Sequence, residues 1–144
     1  MTFKKLIPNL MVEDVTQSVV FYRDLLGFEF LMAMRDERPF DGLPAAGDKP
    51  LDWAMVQRDQ VAFMFQRRDS LSEDVPALAG CDIGASLTLY MEVDGVDALY
   101  AALQGKADIV KPPQTTFYGR RELYLRDCNG YILALTEEAE DQRF

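Results

Sequence analysis

The chain repeats one order of predicted elements: a strand, a helix and then three strands, twice over. The residues Val12-Glu13-Asp14-Val15 before the first helix correspond to Val93-Asp94-Gly95-Val96 before the second, about 81 residues later. One helix covers one face of a small sheet, so each repeat leaves a second sheet face that needs cover. We therefore expect an α+β fold of two βαβββ modules, whose mixed, mostly antiparallel sheets form a cup with the helices outside.

The length of 144 residues suits a single domain. Within that domain we place module one at about residues 1–66, a connection at 67–84, module two at about 85–136 and an acidic tail at 137–144.

Hydrophobic periodicity and capping residues give the element boundaries. The first helix begins at Asp14, which is paired with Gln17 in a capping box, and ends at Gly27. The second is predicted over residues 94–104, with Asp94 as its cap. Strands are predicted at 4–12, 28–34, 51–58, 60–66, 85–93, about 107–111, 120–127 and 131–136. Residues 36–50, with three prolines and two glycines, are predicted to form a long loop, 67–84 a polar connection with a helical turn before Pro76, and Asn129-Gly130 a hairpin turn.

Composition removes several classes of function. The chain has no histidine, which excludes a Ser-His-Asp triad and removes the commonest metal ligand and general base. Its net charge of −9 makes nucleic acid and anionic membranes poor partners. No apolar run is long enough to span a bilayer, no secretory signal pattern is present, and Cys81 and Cys128 stand far apart. We expect a cytoplasmic protein with two thiols.

Three segments resemble the vicinal oxygen chelate superfamily, which groups glyoxalase I, extradiol dioxygenases and bleomycin resistance proteins. They are VEDVTQSVVFYRDLLGF at 12–28, VDGVDALYAAL at 93–103 and YGRRELYLRDCNGYILAL at 118–135. The resemblance covers nearly the whole chain and implies the glyoxalase/bleomycin resistance-like fold, in a homodimer whose cups lie at or near the subunit interface. The last segment departs from the usual Asp-Pro-Asp-Gly, because this chain has Asp127-Cys128-Asn129-Gly130.

The same resemblance assigns the metal-ligand positions of the family's enzymes to Ile7, Met64, Thr88 and Ala134. Isoleucine and alanine offer no lone pair, and a thioether and a hydroxyl are poor ligands for the divalent ions these enzymes use. We therefore expect no metal, no other cofactor, and neither metal-dependent glyoxalase nor dioxygenase chemistry.

Strand alternation gives the candidate ligand-binding residues, because side chains two apart share a sheet face. They form a largely apolar and aromatic surface with a few polar groups, which is typical of a small-molecule pocket. The candidates are Asn9, Trp53, Met64, Thr88, Tyr90, Phe117, Tyr118, Glu122 and Tyr124. For each aromatic the alternative is an ordinary core position, and Arg120, Arg121 and Arg126 beside Glu122 also fit cross-strand ion pairs on a solvated face.

Three functions remain open from the sequence. The first is a metal-independent binding protein similar to bleomycin resistance proteins, which sequesters an aromatic or cationic antibiotic; the opening Ile7-Pro8-Asn9-Leu10 resembles theirs. The second is a metal-independent isomerase, epimerase or lyase of a small carbonyl compound, with Glu122 or Tyr118 transferring the proton. The third is a regulatory or accessory module.

Overall fold

The computed structural model describes residues 1–140 and contains two compact units, Met1–Ile83 and a second that starts at Gly84. Each unit combines one open, mixed sheet with helical structure, so the predicted α+β class is confirmed. Among the described residues no helix is long and apolar enough to cross a membrane. Whether the two units make up one domain stays a prediction.

The sheet of the first unit has five strands in the order β1-β5-β4-β2-β3, with β1 and β5 parallel and the other neighbours antiparallel. Its elements are β1 (Asn9–Val12), α1 (Val15–Leu26), β2 (Glu29–Arg35), β3 (Arg38–Phe40), β4 (Trp53–Arg58), β5 (Val61–Arg67), α2 (Arg68–Asp74) and a 3₁₀ turn (Pro76–Leu78).

Local sequence determines both ends of α1, as predicted. The Asp14 side chain accepts a hydrogen bond from the Gln17 backbone N–H at 3.0 Å, which satisfies one of the free donors of the first turn. Gly27 ends the helix at a φ of +72°, a left-handed conformation that costs glycine little.

An aromatic cluster fixes α1 on the sheet. Tyr22 of α1 is fully buried, and its ring centroid lies 5.3 Å from that of Phe63 and 5.0 Å from that of Phe65, both on β5. Because side chains alternate along a strand, Met64 and Gln66 must lie on the sheet face opposite α1.

The sheet of the second unit has four strands in the order β6-β9-β8-β7, with only β6 and β9 parallel. Its elements are β6 (Thr88–Glu92), α3 (Val96–Leu103), β7 (Asp108–Thr115), β8 (Arg120–Arg126) and β9 (Ile132–Glu138). Buried leucines at 123, 125, 133 and 135 form the face that carries α3. Glu122, Tyr124 and Ala134 alternate with them and lie on the face opposite α3.

The predicted cap of the second helix was wrong. The N-cap residue is Gly95, and Asp94 makes no capping hydrogen bond there. Instead, the carboxylate of Glu137 on β9 accepts hydrogen bonds from the backbone N–H groups of Gly95 at 3.1 Å and Val96 at 2.6 Å. A carboxylate from a distant strand therefore satisfies the helix N-terminus.

Other boundaries also differ from the prediction. The first strand covers only Asn9–Val12 of the predicted 4–12, because upstream of it only the Pro8 carbonyl bonds to β5, accepting from the Met64 N–H. The loop predicted at 36–50 contains β3. The helical turn predicted before Pro76 is present and is longer than expected, as the two-turn helix α2. The predicted tail begins inside β9 at Glu137, and residues 141–144 lie outside the described residues.

Candidate functional site

Four of the predicted site residues meet on the second unit, around the carboxylate of Glu122. Its side chain is only 2% exposed. The Tyr90 hydroxyl donates to Oε2 at 2.6 Å, and the Tyr118 hydroxyl lies 2.8 Å from both carboxylate oxygens. The Tyr124 hydroxyl is a longer donor, 3.4 Å from Oε1. We call Tyr90, Tyr118, Glu122 and Tyr124 the Glu122 cluster.

The strand register explains how three of these side chains converge. Tyr90 of β6 and Tyr124 of β8 both pair with Ala134 of β9, so the two tyrosines lie on either side of one small side chain. Glu122 lies two residues before Tyr124 on the same strand and the same face. The alternation predicted for these strands therefore brings the rings and the carboxylate to one region.

Tyr118 reaches the cluster from the turn between β7 and β8. The turn is closed by backbone hydrogen bonds from Thr116 to the Arg120 carbonyl and from Gly119 to the Thr116 carbonyl. Its tip carries Phe117, which is 99% exposed, in edge-to-face contact with Tyr118 at a centroid distance of 5.0 Å. An apolar ring this exposed is available for contact with another molecule.

The electrostatics of the cluster reflect the buried carboxylate. The hydrogen bond to Glu122 raises the pKa of Tyr118, and its desolvation and the nearby carboxylate add to the shift. Desolvation raises the pKa of Tyr124, and the Glu122 carboxylate again adds to it. Both phenols therefore stay protonated and act as donors at neutral pH. Lys111 places its ammonium 5.3 Å from the Tyr124 ring centroid, a cation–π contact that the sequence did not indicate.

The two other predicted residues of the second unit, Thr88 and Phe117, are not members of the Glu122 cluster. Thr88 lies on the same face of β6 as Tyr90 and pairs with Ile132, but it is not a hydrogen-bond partner of Glu122. Phe117 contacts the Tyr118 ring of the cluster.

The other three predicted residues, Asn9, Trp53 and Met64, lie on the first unit, on the face opposite α1. Asn9 is opposite Met64 in the β1–β5 register, and Trp53 is opposite Gln66 in the β4–β5 register. The Asn9 side-chain N–H donates to Gln66 Oε1 at 2.9 Å. Gln66 is buried and donates in turn to Ser70 at 3.0 Å and Asp74 at 2.7 Å on α2, so this amide is held rigidly.

Methionines dominate this face, a feature that the sequence analysis did not single out. Met64, Met55 and Met32 are successive register partners across β5, β4 and β2. Five of the seven methionines share the face: Met11, Met32, Met34, Met55 and Met64. Flexible, polarizable thioethers adapt to differently shaped apolar ligands. The available signal was the pair Met32 and Met34, two residues apart in the strand predicted at 28–34.

A cavity of about 740 Å³ lies beside Trp53 in the first unit. Its lining includes Met34 and Gln66, and it also carries six carboxylates against a single arginine. That arginine, Arg67, bonds to Asp52 and lies 2.8 Å from Asp69. Desolvation tends to raise the pKa of Asp52, but the hydrogen bonds and charge of its partners, chiefly Arg67, outweigh it and lower that pKa. The cavity is therefore an acidic environment at neutral pH.

The family of this protein follows from a match that covers most of its sequence. Residues 6–135 match the family model described as the Glyoxalase/Bleomycin resistance protein/Dioxygenase superfamily. The chain belongs to this superfamily. A comparison with functionally curated proteins gives no match.

Solved structures of other proteins share the fold at low identity. A protein of unknown function from Agrobacterium tumefaciens superposes with a TM-score of 0.71 at 21% identity, covering 96% of both chains. TioX from Micromonospora sp. ML1 gives 0.69 at 20% identity, covering 94% of this chain and 99% of its own. The bleomycin-binding protein of Streptomyces verticillus, complexed with copper(II)-bleomycin, gives 0.58 at 22% identity, covering 94% and 96%.

The residues that the superfamily resemblance assigns to the metal-ligand positions are poor ligands for a catalytic divalent ion. In the first unit the positions fall on Ile7 and on Met64, whose neighbours across the sheet are Asn9 and Met55. In the second unit they fall on Thr88 and Ala134, and Ala134 is enclosed between Tyr90 and Tyr124. Neither pair supplies a carboxylate, imidazole or thiolate. Within residues 1–140, no three Asp, Glu or Cys side chains are grouped so that they could hold a metal ion.

Proposed function

We propose that this protein binds a small organic molecule non-covalently on the face that carries the Glu122 cluster, without the aid of a metal ion. The observation that carries this proposal is the buried Glu122 carboxylate, which three tyrosine hydroxyls hold on a sheet face rich in exposed aromatic rings. Aromatic walls with a few oriented polar groups are the usual composition of a ligand site.

Antibiotic sequestration is the form of binding that we propose. Support comes from membership of a superfamily that includes bleomycin resistance proteins and from the shared fold of a bleomycin-binding protein. The half-exposed rings of Tyr90 and Tyr118 and the fully exposed Phe117 offer stacking surfaces, and the net charge of −9 favours cationic ligands.

An isomerase or lyase is the alternative, and one contact favours it. The Tyr118 hydroxyl lies 2.8 Å from both oxygens of Glu122, a hydrogen-bonded pair of the kind that transfers protons. Two features weigh against it. The pKa of Tyr118 is raised, which makes the phenol a weaker acid, and three donors already occupy the carboxylate that would act as the base.

We also propose that the chain is a cytoplasmic homodimer, as the superfamily resemblance and the thiol content suggest. Light scattering after size exclusion should then give twice the 16.4 kDa mass of one chain.

Calorimetry with metal-free and copper(II)-loaded bleomycin tests the proposed function. We expect saturable binding by the wild type and at least a tenfold weaker Kd for Glu122→Gln, about 1.4 kcal/mol. The matched control is Glu138→Gln, which makes the same charge change at the end of β9. An absence of heat at high micromolar bleomycin contradicts sequestration of this antibiotic, and equal binding by the Glu122→Gln variant contradicts the site.

A further inference from the structure

No lysine or arginine of the described residues forms an ion pair with the Glu122 carboxylate. Its hydrogen-bond partners are three neutral phenols, and no lysine or arginine nitrogen in residues 1–140 lies within the 4.0 Å of an ion pair. The nearest strand neighbours with positive charge are engaged elsewhere. Arg120 bonds to Thr136 and lies 3.9 Å from Glu92, and Arg126 pairs with Asp108.

A carboxylate at 2% exposure without a cation is an expensive arrangement. Hydroxyl donors offset part of the desolvation cost, because hydrogen bonds to the ionised form stabilise it. They supply no net positive charge. A cationic group placed at the same oxygens would add the missing Coulombic attraction in a poorly solvated environment.

Tyr118 is the donor that can be exchanged. Tyr90 and Tyr124 belong to strands, whereas Tyr118 lies on the turn between β7 and β8 and is 54% exposed. The single hydroxyl proton of Tyr118 is shared between both oxygens of Glu122. A group with several donors could give each oxygen its own hydrogen bond. Rotation of this one side chain opens the carboxylate without disturbing the sheet.

We propose that the ligand bound at the Glu122 cluster is an alkylamine that carries an aromatic ring, and that its protonated nitrogen displaces the Tyr118 hydroxyl from Glu122. The ammonium provides several N–H donors and the positive charge that the three phenol donors to Glu122 lack. The aromatic part of the ligand packs against the exposed ring of Phe117 and the half-exposed ring of Tyr90. The proposal rests on the proposed function and adds to it the chemical class of the ligand.

Three probes that share one ring separate charge from ring contact: phenethylamine, phenethyl alcohol and phenylacetate. Titrations followed by NMR at neutral pH should show the amine binding the wild type at least tenfold more tightly than the alcohol, because only the ammonium adds the attraction of opposite charges to its hydrogen bonds. Phenylacetate should bind most weakly, since its charge repeats that of Glu122.

Two variants of the cluster should move amine binding in opposite directions. Tyr118→Phe removes the competing hydroxyl but keeps the ring, so we expect amine affinity to rise about threefold to tenfold. Glu122→Gln should abolish the preference for amine over alcohol. Tyr100→Phe on α3 and Glu138→Gln on β9 are matched controls that should leave both affinities unchanged. Circular dichroism verifies that each variant is folded.

Distinct outcomes would overturn the ligand class and the proposed function. Equal affinity for amine and alcohol, no amine binding by wild type and Tyr118→Phe, or weaker amine binding by Tyr118→Phe would each overturn the displacement by an ammonium. Glu122-dependent binding of bleomycin alongside any of these results leaves the proposed function standing. Amine selectivity without bleomycin binding supports the ligand class and contradicts sequestration of that antibiotic.

Discussion

Replacing Phe65 with alanine should lower the free energy of unfolding by about 3–5 kcal/mol, the usual cost of removing a fully buried phenylalanine. Phe65 has no exposed surface and lies at the centre of the contact between α1 and β5, with its ring 5.0 Å from that of Tyr22. The cavity left behind would be enclosed by rigid rings and strand backbone, which relax poorly. The expected loss is a large part of the 5–15 kcal/mol typical of whole domains.

Urea denaturation followed by tryptophan fluorescence measures this effect on the relevant unit, because Trp53 is the single tryptophan and lies on β4 of the first unit. Phe3→Ala is the matched control, since Phe3 is 91% exposed and its truncation should change stability by no more than about 0.5 kcal/mol. Equal effects of the two substitutions would contradict the packing of α1 described above.

Replacing Gly84 with alanine should destabilise the second unit by about 2–5 kcal/mol. Gly84 has a φ of +85°, where an alanine costs about 1–2 kcal/mol. An added Cβ would also come within 2.7 Å of the Asn129 carbonyl oxygen and 2.9 Å of the Gly130 carbonyl carbon, and clashes with backbone add a further ~1–3 kcal/mol. The affected turn joins β8 to β9, the two strands that align Glu122 with Thr136.

Gly47→Ala separates the clash from the backbone conformation. Gly47 has nearly the same φ, +84°, but an added Cβ there meets nothing within 4 Å. Thermal unfolding followed by circular dichroism should therefore show a clearly smaller loss for Gly47→Ala than for Gly84→Ala. If the two variants lose the same stability, the close packing of Gly84 on the 129–130 turn is incorrect.

Features that depend on neighbours in the chain were predictable from the sequence. The cap at Asp14, the end of α1 at Gly27 and the turn at Asn129-Gly130 use contacts within about four residues. Strand alternation likewise predicted that Glu122 and Tyr124 share a face, because the period of two needs only the strand itself.

Features that depend on distant residues were not predictable in the same way. The N-terminus of α3 has a suitable local residue in Asp94, yet Glu137 caps it from a strand about 40 residues away. The short strand β3 forms because β2 offers an edge, although Pro39 lowers its intrinsic strand propensity.

The candidate site likewise has features that the local sequence predicts and features that depend on distant residues. Tyr90, Tyr118, Glu122 and Tyr124 could each be proposed from alternation or from a turn position. Their convergence on one carboxylate depends on the parallel pairing of β6 with β9, which no local pattern encodes. The methionine row of Met32, Met55 and Met64 depends equally on register across three strands.

We propose that this superfamily member holds its ligand through the Glu122 cluster and uses no metal ion. Elemental analysis of protein purified without chelators, from medium supplied with zinc, nickel, iron and manganese, tests it most directly. We predict far less than one equivalent of each metal per chain, because Ile7, Met64, Thr88 and Ala134 offer no suitable donors. One equivalent of any of these metals, retained through dialysis and bound inside the fold, would contradict the account.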